Sequence, residues 1–204
     1  MAFKPLVTMS VNFISDISFI NISHGDITLF EYKPPGSFKS YSLDLNIIKK
    51  NKINDIFFHL NRGNSKIVYM RKDNLIYSIS TESEKIQFQV LEAIIEQVIK
   101  EFNETYEIDV ILSYSDVSTS IFNAFRKPME NILSNFDSLD LIKKIAVFCR
   151  ICDLTHNIYV KRTFIDDKDS YPIPLVYTHL GHSIMCYIDK NYQVRGVELV
   201  HITG

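Results

Sequence analysis

Residues 66–125 read KIVYMRKDNLIYSISTESEKIQFQVLEAIIEQVIKEFNETYEIDVILSYSDVSTSIFNAF, and a change of period inside this stretch decides the fold. The runs 66–70 (KIVYM) and 75–80 (LIYSIS) are short and rich in β-branched and aromatic residues, with Lys72-Asp73-Asn74 as a polar turn between them. Such runs separated by a tight polar turn predict antiparallel neighbours. Past Thr81 the period changes from two to that of a helix. Ile86, Val90, Leu91, Ile94, Ile95, Val98, Ile99 and Phe102 recur at helical spacing, with Glu92, Glu96, Lys100 and Glu101 opposite them. The spacing predicts a helix over 83–103 lying across a sheet. Thr81 followed three residues later by Glu84 reads as its capping box.

Upstream, 17–22 and 27–32 are two further β-rich runs on either side of His24-Gly25-Asp26, a hairpin signal, and Pro34-Pro35-Gly36 ends the second. Residues 40–50 fit a short helix or an irregular strand. The run 55–60 (DIFFHL), bounded by Asn61-Arg62-Gly63-Asn64, makes the first member of a three-strand meander with 66–70 and 75–80. Downstream, 108–114 reads as a strand or a packed connection. Asp116 suits the N-cap of a helix bearing Val117, Ile121, Phe122 and Phe125. Pro128 interrupts that helix, or opens a second one at its first position, continuing through Met129, Ile132, Leu133 and Phe136. A module boundary falls at a linker helix over 137–144. After it, 145–148, 157–164, 175–178, 183–188 and 194–202 are strand candidates. The acidic run 166–170 reads as an exposed turn, and 189–192 turns the last hairpin with Asn191 in a left-handed conformation.

The succession of two strands, an intervening segment, a three-strand meander, a long amphipathic helix and shorter helices resembles the longin (SNARE-like) fold. The closest local likeness, 66–125, is to the small subunits of clathrin adaptor complexes, and the resemblance covers 17–136. It implies an α+β domain over 1–136: an antiparallel five-stranded longin-like sheet packed by helices. It also implies a non-enzymatic platform that binds small GTPases or other longin or roadblock subunits, of membrane-trafficking type. Such a protein reaches membranes only through its partners. Pairing of a sheet edge would give a homodimer.

Four residues carry metal chemistry. Cys149 and Cys152 form a C-x-x-C pair, and His179 and His182 an H-x-x-H pair. Two such pairs are the donor set of a tetrahedral zinc site, and His156 is a substitute ligand. Each pair sits between strand candidates, as in a zinc ribbon. The tail 187–198 (YIDKNYQVRGVE) also resembles the end of ribbon-like modules appended in some archaeal proteins. The expectation for 145–204 is therefore a small β-rich zinc-ribbon-like module holding Zn²⁺ through Cys149, Cys152, His179 and His182. Two other readings stay open: a metal-free descendant of such a ribbon, and buried small cysteines beside ordinary surface histidines. Cys186 reads as a core residue on a strand.

The remaining composition mainly excludes. Of 204 residues, 22 are basic and 24 acidic. The first 144 hold 16 basic and 18 acidic residues, the last 60 hold 6 and 6. Neither part has the positive field that phosphate-backbone binding needs. That disfavours the alternative reading, a zinc-ribbon nucleic-acid-associated accessory factor. Six scattered glycines make no phosphate-binding loop. No oriented nucleophile, base and third group is evident, so an enzyme is not expected. Residues 1–13 lack the apolar core of a signal peptide, and no run approaches 18 apolar residues. The expectation is a cytoplasmic protein, in which a C-x-x-C binds metal or does redox work rather than forming a structural bridge.

Overall fold

The computed structural model describes residues 13–34, 53–83, 86–113, 118–179 and 181–200. The chain divides into two compact units, 1–136 and 137–204. Helices here are α1 Phe13–Asp16, α2 Phe88–Thr105, α3 Ile108–Leu112, α4 Arg126–Ser134 and α5 Arg162–Asp166. The first unit holds strands β1 Ile17–His24, β2 Ile27–Tyr32, β3 Phe57–Arg62, β4 Ser65–Lys72 and β5 Leu75–Thr81. They close into one antiparallel sheet in the order β2-β1-β5-β4-β3. The β1–β2 hairpin turns through Gly25 at φ +55°, a conformation that costs glycine nothing. β5 lies between β1 and β4, and all seven of its residues are buried.

Helix α2 covers one face of this sheet. Its buried residues are Val90, Leu91, Ala93, Ile94, Ile95, Val98, Ile99 and Phe102, the stripe that the helical period marks. The 3-10 segment Thr119–Phe125 and α4 complete the layer. An aromatic nest joins these parts. The Phe102 ring lies 5.0 Å from Phe125 and Tyr106, 5.6 Å from Phe122 and 6.3 Å from Tyr77 of β5, and Phe125 meets Phe30 of β2 edge-on at 5.3 Å.

Several expected boundaries move, each for a local reason. Thr81 is no helix cap, because pairing with Ile17 keeps it in β5. Its hydroxyl donates to the Asp16 carbonyl and accepts the Ser83 N–H. The Lys66 ammonium holds the next residues through the carbonyls of Ser83 and Ile86, and α2 starts only at Phe88. β3 begins at Phe57 rather than at 55, since Asp55 takes φ +58°. The run after 107 is a helical turn, not a strand: it buries only Ile108 and closes on itself through Ile111 N–H to the Glu107 carbonyl. Pro128 is the third residue of α4, inside the first turn, where its missing N–H has no intrahelical acceptor to lose. The segment 40–50 and Asp116 lie outside the described residues.

The second unit comprises β6 Ile142–Cys149, β7 Leu154–Lys161, β8 Ile173–His179, β9 His182–Ile188 and β10 Val194–Val200. Strands β6 and β7 form a hairpin sheet; β10-β9-β8 form a three-stranded antiparallel sheet. No linker helix spans 137–144. A 3-10 turn ends at Leu139, and Ile142, Lys143 and Lys144 already pair with Lys161, Val160 and Tyr159. Helix α5 takes the place of the strand expected to reach 164. The core is thin. Ile145, Val147 and Cys149 from β6 and Ile158 and Val160 from β7 meet Leu175, Ile184, Cys186 and Ile188 of the other sheet.

In the last turn Tyr192, not Asn191, takes the left-handed conformation, at φ +60°. The Asp189 carboxylate dictates this by accepting the N–H groups of Asn191 and Gln193 while it pairs with Arg195. The backbone N–H of Gln193, with help from Asn191 and Arg195, holds the Asp189 carboxyl below the usual carboxylate range.

Two predictions follow from this packing. Phe102→Ala removes the ring shared by four aromatic neighbours and should destabilise the first unit by about 3–5 kcal/mol, seen as a lower denaturation midpoint at unchanged slope. Asp189 is depressed in the folded state. Its contribution is therefore full above the unfolded carboxyl value of about 3.9 and is lost as pH falls through the lower folded value. Asp189→Asn should lower the melting temperature at neutral pH and flatten the loss of stability in acid, both read from thermal melts across pH.

Candidate metal centre

Strand parity aims the first donor inward. Along β6 the side chains of Ile145, Val147 and Cys149 are buried, while Lys144, Ala146 and Phe148 face out. Cys149 pairs with Leu154, so residues 150–153 form the hairpin turn, closed by Asp153 at φ +53°. The C-x-x-C spacing thus brings Cys152 back over the end of β6. The backbone N–H of Cys152, and then that of Ile151, point at the Cys149 sulfur and lower its thiol below the ordinary value. Burial raises the Cys152 thiol, and its neighbour Cys149 adds to the effect.

The second donor pair arrives from the other sheet. His179 ends β8, His182 opens β9, and the two pair directly across the turn containing Gly181, which has φ +77°. His179 is buried and reaches the cysteines, with its Nε2 3.5 Å from Cys152 Sγ. The ligand atoms of Cys149, Cys152 and His179 all lie within 4.8 Å of one another, close enough to hold a metal ion. Burial lowers the His179 pKa, with smaller contributions from His156 and His182. Its Nδ1 is buried with no hydrogen-bond partner among the described residues. Tyr177 stacks on the ring at 5.2 Å.

Neither His182 nor His156 is part of this three-residue group; the His182 ring centre is 5.8 Å from that of His179. His156 comes closer. It lies on β7 opposite Val147, its Nε2 is 3.3 Å from Cys152 Sγ, and its ring is 3.9 Å from His179. The signal for it in the sequence is the four-residue step from Cys152, which returns the chain to the inward parity of β7 just past the turn.

The third cysteine stands apart in character. Cys186 is fully buried on β9 among Ile184, Ile188 and Leu175, and burial pushes its thiol up to about 11. All three cysteines are free thiols.

No protein-family model matches the chain, and no curated protein matches it. Among the described residues, no helix is long and apolar enough to cross a membrane.

Because Cys186 is both buried and hard to ionise, it should resist iodoacetamide at mildly alkaline pH in chelator-treated native protein, while half-buried Cys152 is modified. Peptide mass mapping reads the difference. Modification of Cys186 at the rate seen in denaturant would show that the second unit's core is not closed.

Proposed function

We propose that this chain is a non-enzymatic protein-interaction module: a longin-like domain followed by a zinc-ribbon-like module whose metal is a structural staple. The observation that carries the reading is the five-stranded sheet. The hairpin β1–β2 and the meander β3–β5 close into one layer, with α2 and the shorter helical segments following in the order that the longin resemblance calls for. Its outer strands, β2 and β3, pair on one side only among the described residues. Such an edge accepts a strand from a partner or from a second copy.

A second surface supports the same reading. In the second unit, Phe148 is 48% exposed and Leu199 47% exposed, and with Ile151 and Val197 they line an open cleft of about 500 Å³ between β6 and β10. Apolar side chains gathered around a cleft are the usual mark of a contact surface. The metal fits this role as a clip on a small unit. Two thiolates neutralise a divalent ion, and soft sulfur with borderline imidazole selects Zn²⁺ among the abundant divalent metals. The proposed partner is a small GTPase or another longin or roadblock subunit. Any membrane association is peripheral and runs through that partner.

Immobilised small GTPases, loaded with GTP or GDP, and longin and roadblock subunits test the assignment. The full chain should be retained by at least one of them, with preference for the GTP form if the partner is a GTPase. Absence of retention across a broad panel would overturn it.

A further inference from the structure

We infer that the fourth ligand of the metal centre is His156, and that His182 lies outside the coordination sphere. This rests on the zinc reading above and sharpens it, because the histidine pair that the spacing singles out is not the pair that the fold assembles.

The argument is one of edges. Zinc bonds of about 2.3 Å to sulfur and about 2.0–2.1 Å to nitrogen set a sulfur and a nitrogen ligand of one tetrahedron roughly 3.5–3.6 Å apart. Cys152 Sγ has two imidazole nitrogens near that separation, His179 Nε2 at 3.5 Å and His156 Nε2 at 3.3 Å. The ligand atoms of Cys149, Cys152 and His179 lie within 4.8 Å of one another; His156 stands outside that group and meets it through Cys152 Sγ.

Topology gives the same answer. Cys149, Cys152 and His156 all belong to the β6–β7 hairpin, where the register opposes Val147 to His156 and turns both inward. His179 is contributed by the second sheet. The centre is then a three-plus-one clip: one hairpin supplies three donors in eight residues, and the other sheet supplies one. Two thiolates and two neutral imidazoles give a charge-neutral Cys₂His₂ site. Four protein donors leave no open position, so the centre is structural rather than hydrolytic. His182, half-buried at the start of β9, is then a neighbour of the site and not a ligand.

The test uses the full-length chain and its variants Cys152→Ser, His156→Ala, His156→Cys and His182→Ala. Zinc is measured by elemental analysis after dialysis against a chelator, and Co²⁺ is used as a spectroscopic substitute. Wild type should retain one zinc per chain and give the intense visible bands of tetrahedral cobalt. His182→Ala should match it. Cys152→Ser and His156→Ala should lose chelator-resistant zinc and the tetrahedral bands. His156→Cys should recover both, with added thiolate-to-cobalt charge transfer, because a Cys₃His set also holds zinc. That rescue separates ligation from a merely structural role. A metal-free wild type would overturn the zinc reading itself. Zinc lost in Cys152→Ser but kept in His156→Ala, or lost in His182→Ala, would leave the zinc reading standing and overturn the assignment of His156. Circular dichroism of each variant confirms that the rest of the chain stays folded.

Discussion

The second unit is governed by the thinness of its core. Among the described residues, eleven buried apolar side chains, two of them cysteine, form the core that holds a two-stranded and a three-stranded sheet together. A core of that size leaves little surplus over the entropy of ordering the chain. Every strand must therefore deliver its alternate residues inward without a slip, since a one-residue shift would turn an apolar face to solvent. The same parity that sends Ile145 and Val147 into the core sends Cys149 after them and, across the hairpin, His156. The cluster of thiols and imidazoles continues the core at the end where apolar residues give out.

The first unit is built on a larger margin. β5 is buried along its whole length, α2 lays eight apolar residues on the sheet, and Phe102 ties sheet, helix and 3-10 segment through four rings. That unit closes on apolar and aromatic packing alone, and its outer strands β2 and β3 leave an edge unpaired among the described residues.

Much of this fold was legible because its signals are local. Gly25 and Lys72-Asp73-Asn74 mark hairpins through their own conformational preferences, and the 3.6-residue stripe of α2 needs no tertiary information. The errors arise where a distant residue decides. Thr81 looks like a helix cap, but its pairing with Ile17 across the sheet fixes it in β5. Asn191 has the better left-handed propensity, yet the Asp189 carboxylate collects the N–H groups around it and passes the strain to Tyr192. The H-x-x-H spacing suggests two equivalent ligands, and of the two His179 stands with the cysteines. His156 was legible only as a substitute ligand; that its imidazole stands 3.3 Å from Cys152 Sγ depends on the register of β6 against β7.

The two ends of the second unit are latched by unlike chemistry. At one end stand the thiols and imidazoles. At the other, Arg162 bridges Asp140 and Asp166, Lys143 adds to Asp140, and the Tyr192 hydroxyl donates to Asp166, so the start of β6, helix α5 and the β9–β10 turn are joined by exposed ionic contacts. Ionic strength loosens such contacts and leaves soft-donor coordination almost untouched. The unit therefore has one end that salt loosens and one end of thiols and imidazoles that salt leaves almost alone, so a rise in ionic strength frays its strands from a single side.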